Sequence, residues 1–409
     1  MLALAWRNIW RQRRRGMLTA AVVAMVMSLT LLLFGCSEAM KNGMFENLTD
    51  NTGHLVVRVA GWRKLRRFDE LLIPNAGETL RRIHGASASL QVASLLEVPV
   101  LLAGEVRSRG IQLLGLDQPP ALRERFESDY LSEGRLPAVG NLEEIVLGKA
   151  LAQALRVGVG DAVYAYAPGT EGVGAAAYTV VGLLDLPEST FEARAAYLPL
   201  AAAQELAAPE AVTRFEIHLP DLKRLEDEGA VPALQEVLKG ELGPGLSVET
   251  WRQANPDLAT ILDLLGPILL FYAAIFFGIA GLLVINTVYL SVVERIGEFG
   301  VIIALGANRW KIMRLVLLET LFLVLSGALI GGSLGLAAVL RMSRGFSLPL
   351  GLAKIYAEFG LPTRLYAGVS LEQILLTLLF AAATALLAAL WPAWVAGRLR
   401  PVEAMRFVA

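Results

Sequence analysis

Apolar positions along this chain follow two different patterns, and the change between them divides it. Four stretches, residues 17–36, 264–293, 315–340 and 373–396, are almost continuously apolar and contain one charged side chain, Glu319. Each is long enough to cross a hydrocarbon core, for which a helix needs about 20 residues. They predict four transmembrane helices, one near the start of the chain and three in its last third. Glu319 falls in the first turns of the third, where a carboxylate still reaches the interface.

Between the first two spans the pattern shortens. Segments 54–59, 94–102, 110–116, 162–167, 177–184 and 214–219 alternate or are rich in β-branched residues, which predicts strands. Helices are expected near 75–84, 148–155 and 231–240. In 141–166 a strand and a helix ending before Arg156 lead into Val157-Gly-Val-Gly-Asp161, where Gly158 and Gly160 supply turn conformations that other residues resist. A phosphate-binding loop is a poor reading of these glycines, because Gly148-Lys149 is followed by Ala150 and no Gly-x-x-x-x-Gly-Lys-Ser/Thr occurs. The expected fold is an α-helical membrane protein with four transmembrane helices and a large α+β extracytoplasmic domain inserted between helices one and two.

The expected boundaries are a cytoplasmic amphipathic helix at 1–16, helix one at 17–36, the outer domain at 37–263 and helix two at 264–293. A cytoplasmic segment at 294–314, helix three at 315–340, an outer loop at 341–372, helix four at 373–396 and a cytoplasmic tail at 397–409 follow. In 1–16, Leu2, Trp6, Ile9 and Trp10 share one helical face and Arg7, Arg11 and Arg14 another. A secretory signal ending in Leu33-Phe34-Gly35-Cys36 is the alternative, but Phe34 is bulky and cleavage would leave an odd number of spans.

Composition supports the division. Apolar residues make up 55% and charged residues 18%, against about 45–50% and 25% in ordinary soluble domains. The net charge of −1 conceals a segregation: residues 37–263 carry 21 Lys and Arg against 32 Asp and Glu, and the rest carry 16 against 6. The basic residues cluster at Arg7, Arg11, Arg13, Arg14 and Arg15, at Arg295, Arg309, Lys311 and Arg314, and at Arg398, Arg400 and Arg406. Positive flanks stay cytoplasmic, so both termini and the middle loop are expected inside and residues 37–263 outside. Arg341, Arg344, Lys354 and Arg364 in the second outer loop run against this rule. A single cysteine, Cys36, rules out an internal disulfide, and three scattered histidines make a catalytic metal site a poor expectation.

Within the spans, Gly327, Gly331 and Gly335 recur every four residues, as do Ala274 and Gly278, and Ala381, Ala385 and Ala389. Such stripes allow close helix packing. No ionisable residue lies at mid-membrane depth, which argues against a proton or sodium relay. Four helices are few for a pathway, so a dimer, or a pair of related subunits, is expected to meet through them.

Between helices two and three the chain reads Glu294-Arg-Ile-Gly-Glu-Phe-Gly-Val-Ile-Ile-Ala-Leu-Gly-Ala-Asn-Arg-Trp-Lys-Ile-Met-Arg-Leu-Val-Leu-Leu-Glu319. This resembles the signature of the FtsX-like ABC transporter permeases, with Glu294, Arg295, Glu298, Gly300, Ala304, Leu305, Gly306, Ala307 and Glu319 matching and Ile303 departing from the usual polar residue. In the outer domain, 145–161 and 178–184 are similar to the periplasmic core signatures of the MacB and LolC/LolE branches, and Trp6-Arg-Asn-Ile-Trp-Arg-Gln-Arg-Arg-Arg15 leans toward LolE-like proteins. The layout of one span, a large domain and three spans is shared over the whole length.

The resemblance implies a permease without chemistry of its own. A separate cytoplasmic ABC ATPase, binding ATP and Mg, would dock at 294–311 through Glu294, Arg295, Glu298, Gly300, Ala304, Leu305, Gly306, Ala307 and Arg309. No catalytic residue, metal ligand or cofactor is expected in this chain, and nucleic acid is not an expected partner. A second permease, a lipoprotein substrate lifted from the inner membrane, and a periplasmic chaperone or adaptor are the implied partners. An acyl-chain wall would draw on Met25, Leu29, Leu32, Phe34, Met40, Leu262, Leu265, Ile268 and Phe271. The alternatives are a MacB-like mechanotransmission subunit of a tripartite efflux system, and an FtsX-like regulator of a cell-wall hydrolase.

Overall fold

The computed structural model describes residues 13–87, 90–169, 172–185, 195–220, 222, 225, 229–305, 308–349, 351–353, 356 and 364–398. The expected amphipathic helix at 1–16 therefore lies almost wholly outside the described residues, as do Gly306 and Ala307. Two compact units are present: 1–40 with 260–346 and 364–409, and 41–259 with 347–363.

The first unit is a bundle of long apolar helices. They run Arg13–Thr52, Pro256–Glu294, Arg309–Met342 and Leu371–Gly397, with a short connecting helix, Ile296–Ala304, between the second and third. The first element continues as helix well past the expected end of its span, and the third starts at Arg309, so Arg309, Lys311 and Arg314 belong to its first turns rather than to a loop. Asn308 caps that start by accepting a hydrogen bond from the Trp310 amide at 3.2 Å. Ser370 and Gln373 close a reciprocal capping box at the start of the fourth helix.

Helix directions follow from the contacts. A Cβ at Gly327, Gly331 or Gly335 would meet Ala20, Ala24 or Ser28 respectively. Both series climb in the same direction, so helices one and three are parallel. Phe277 stacks on Phe380 and Tyr289 on Trp391 with centroids 5.9 and 5.0 Å apart, which makes helices two and four parallel. Thr19 bonds Thr287 at 3.0 Å, while Phe34 clusters with Leu269 and Ala273, so helices one and two are antiparallel. The four helices alternate, as four consecutive spans must.

These contacts show which of the small-residue stripes are used within the chain. The glycine stripe of helix three is filled by helix one of the same chain, so it offers no face to a second subunit. Ala381, Ala385 and Ala389 are buried inside the bundle. Ala274 and Gly278 are exposed, and helix two turns Ala273, Phe277, Ala280 and Val284 inward instead.

The second unit is α+β. Its strands are β1 (Leu55–Val59), β2 (Gln91–Ala103), β3 (Ser108–Asp117), β4 (Leu131–Gly134), β5 (Glu144–Gly148), β6 (Ala162–Gly169), β7 (Gly172–Leu184), β8 (Ala195–Pro199), β9 (Arg214–His218) and β10 (Leu246–Thr250). They join one mixed sheet in the order β10-β1-β9-β2-β3-β8-β5-β7-β4, with β6 pairing β2 and β7. The pairs β3–β8 and β5–β7 are parallel. Helices Ala76–Ala86, Lys149–Leu155 and Ala230–Leu242 stand near 75–84, 148–155 and 231–240, while Pro120–Tyr130 and Leu200–Ala207 were not expected. Leu96, Val98, Leu102, Leu113, Ile145, Leu147 and Leu151 form the centre of its core. The turn after Arg156 uses positive φ at Arg156 and Gly160 but not at Gly158, whose amide is held instead by the Asp161 carboxylate at 2.8 Å.

Two polar clusters are buried in this unit. Arg214 donates to Glu216 at 2.8 Å and to Glu97. His54 lies edge-on to Phe45, with Nε2 2.9 Å from the Leu222 carbonyl and Nδ1 accepting from the Leu219 amide at 3.1 Å, a neutral and fully bonded ring. Burial pushes the neighbouring His218 down to about 4.

Candidate functional site

The connecting helix starts where helix two breaks. Arg295 leaves helical geometry at φ −110° and ψ 15°, and the chain turns into Ile296–Ala304. One side of this short helix is anchored: Phe299 is buried with Val292, Ile312, Val316, Ala393 and Ala396, side chains from the second, third and fourth helices. Gly300 is buried beside it.

Among the described residues the outward positions of this helix are apolar and exposed: Val301, Ile302 and Ala304, followed by Leu305 at 83%, and Trp310 at the start of helix three is 64% exposed. A short helix with a buried aromatic anchor and an outward aliphatic patch has the form of a docking element. The expected docking residues include Ala304 and Leu305 but not Val301, Ile302 or Trp310. The signal available was the unbroken run Val301-Ile-Ile-Ala-Leu305, too apolar for a polar loop and too short for a span.

The charged residues at the start of the segment are tied to the bundle instead. Arg295 bonds Glu298 at 3.1 Å and Glu319 at 2.9 and 3.2 Å, and its guanidinium lies 5.0 Å from the centre of the Phe299 ring. Arg15 of helix one pairs with Glu294. Arg15, Thr287, Ser291, Arg295, Glu319 and Thr320 are among the residues lining a small cavity of about 60 Å³. That is room for a few waters and far too little for a lipid. The nine expected docking residues are thus divided. Ala304, Leu305 and Arg309 face outward, Arg295 and Gly300 are turned into the bundle, Glu294 and Glu298 are partly exposed but paired, and Gly306 and Ala307 lie outside the described residues.

The nine residues expected to contact acyl chains are also divided. Met25, Leu29, Ile268 and Phe271 are exposed, and Leu32, Met40 and Leu265 are partly covered. Phe34 and Leu262 are buried, and Phe34 packs against Leu269 and Ala273. Covered side chains cannot wall an open cavity, so these two are corrected to packing residues.

Comparison with known proteins matches this architecture. Residues 17–231 match the family described as MacB-like periplasmic core domain, and residues 270–401 match the FtsX-like permease C-terminal family. The lipoprotein-releasing system transmembrane protein LolC of Xylella fastidiosa is 22% identical, over 99% of this chain and 98% of its own. The macrolide export ATP-binding/permease protein MacB of Chlorobium luteolum is 35% identical over 30% of this chain and 16% of its own. The solved periplasmic region of MacB from Actinobacillus actinomycetemcomitans gives a TM-score of 0.37 at 14% identity, covering 52% of this chain and 95% of that one. The chain belongs to the MacB-like periplasmic core domain family, joined to an FtsX-like permease C-terminal part, and is a membrane-embedded ABC transporter permease of that type.

Proposed function

We propose that this permease is a subunit of a lipoprotein-releasing ABC transporter in the inner membrane, with both termini cytoplasmic. The observation that carries the reading is the end-to-end relation to a lipoprotein-releasing LolC, which spans both the membrane helices and the outer domain. A separate ATPase docks on the apolar face of Val301, Ile302, Leu305 and Trp310, and its closure moves the connecting helix and the helices on which it is anchored. The outer domain is the part that acts on cargo, and the exposed Met25, Leu29, Ile268 and Phe271 meet lipid or acyl chains. A second permease, identical or related, completes the machine, and ATP and Mg stay with the ATPase.

Extraction of a lipid anchor costs about 0.8 kcal/mol per methylene removed from the bilayer, so an ATP-driven device is energetically appropriate. The test is purification from native membranes in mild detergent, with mass spectrometry of the copurifying proteins. An ATPase, a second permease of this layout and acylated proteins released on ATP addition are expected. A periplasmic adaptor with an outer-membrane duct would overturn lipoprotein release in favour of MacB-type efflux, and a cell-wall hydrolase bound to the outer domain would overturn it in favour of FtsX-type regulation.

A further inference from the structure

We infer that Arg295 is a positioning residue, the centre of a clasp that locks the connecting helix to helix three. On this view Arg295 and its partners Glu298 and Glu319 work as a transmission, and the ATPase is read by the outward-facing residues. The inference rests on the docking reading above and goes beyond it by separating the residues that hold the ATPase from those that convey its motion.

Three observations carry it. First, Arg295 occupies the break between two helices, the point about which the connecting helix would pivot. Second, one guanidinium reaches three side chains on two elements: Glu298 and the face of Phe299 on the connecting helix, and both carboxylate oxygens of Glu319 on helix three. The Arg295 and Glu319 side chains are 14% and 15% exposed, so the pair is shielded from the screening that weakens surface ion pairs. Third, the preceding residue, Glu294, pairs with Arg15 on helix one. Consecutive residues are thus tied in different directions, to helix one and to helix three, and a push on the connecting helix reaches both.

The residue types suit this role. A planar guanidinium with five fixed donors can serve two carboxylates and lie against an aromatic ring at once, whereas a lysine ammonium is a point charge on a flexible stem. A cavity of about 60 Å³, lined also by Thr287, Ser291 and Thr320, lies beside the pair and has room for a few waters.

The test uses the full chain with its ATPase in nanodiscs, reading hydrogen exchange of residues 41–259 with and without ATP plus vanadate. Arg295→Gln and Glu319→Gln are each expected to keep the ATPase bound while the nucleotide-dependent exchange change falls at least fivefold. The double swap Arg295→Glu with Glu319→Arg is expected to recover at least half of it, and Arg295→Lys less, outcomes that a general loss of stability would not produce. A wild-type exchange response in Arg295→Gln, a swap no better than the single variants, or loss of the ATPase from Arg295→Gln at unchanged melting temperature would each overturn the clasp. Retention of the ATPase by Leu305→Asp would overturn the docking reading instead, so the two failures are distinguishable.

Discussion

Replacing Gly331 by alanine tests the packing on which the bundle depends. A Cβ at this position would lie 2.1 Å from the Ala24 carbonyl oxygen and 2.5 Å from the Ala24 Cα, where ordinary contact begins at 3.4 Å. Both obstacles are backbone, so no side-chain rotation relieves them, and helices one and three must part by roughly 1 Å along this seam. Because helices move as rigid units, the close approaches at Gly327 and Gly335 loosen as well. Overpacking of this kind costs about 1–3 kcal/mol, offset by about 1 kcal/mol from the better helix propensity of alanine. A net loss of up to about 2 kcal/mol is expected from Gly331→Ala, and more from Gly331→Val.

The assay is thermal unfolding of the full chain in detergent, with two internal controls. At Gly332 a Cβ meets only the mobile Met27 Cε at 3.6 Å, and at Gly278 nothing lies within 4 Å. Gly332→Ala and Gly278→Ala are expected to leave the melting temperature unchanged or slightly raised, while Gly331→Ala lowers it. Equal melting temperatures for all three would refute the seam between helices one and three.

Three further outcomes are expected. Leu305→Asp removes the centre of the docking face and is expected to weaken ATPase binding by about 10–100-fold, from about 1.5–3 kcal/mol of apolar burial, measured by copurification; undiminished binding would refute the face. His218 is held down at about 4, by burial first and then by His54. Between that value and the usual 6.5 the unfolded chain binds the extra proton, so this stability is complete above about pH 6.5 and is lost as pH falls toward 4, up to about 3 kcal/mol; melting of wild type and His218→Leu across that range should show a shallower acid slope in the variant, and parallel slopes would dismiss the assignment. Arg214→Met leaves Glu216 buried beside Glu97 without its partner and is expected to destabilise the outer unit by about 3–5 kcal/mol. Denaturant unfolding followed by hydrogen exchange of the outer unit's strands would measure it, and a loss under 1 kcal/mol would contradict the buried pair.

The periodic elements were legible because local burial needs leave a local trace. Strands β2 and β3 and the helices Lys149–Leu155 and Ala230–Leu242 stand where alternation or amphipathicity placed them. The helix Pro120–Tyr130 was not expected, since none of its residues is fully buried and its apolar stripe is only Leu122, Phe126 and Tyr130 among mostly charged neighbours. Strand β8 escaped because Ala195-Ala-Tyr-Leu-Pro199 is a short run with no alternation, and its parallel pairing with β3 is a long-range fact.

At the candidate site, residue identity and residue direction were separable. The signature from Glu294 to Glu319 was readable as a string, and so was its place between two spans, because a hydrocarbon core demands about 20 apolar residues whatever lies around it. Which residues of that string face a partner was not readable. The break at Arg295, the burial of Phe299 and the position of Glu319 one helix away together tie Arg295 and Glu319 inward and leave Val301, Ile302 and Leu305 outward, while Arg309, Lys311 and Arg314 stay exposed. The same holds for the glycines of helix three: their spacing announced a close approach, and only the packed bundle identified helix one of the same chain as the neighbour. Spans, their alternation and the acidic outer domain follow from transfer energies that each segment carries alone. Interfaces and ion pairs depend on which surfaces meet, and that is decided when the helices assemble.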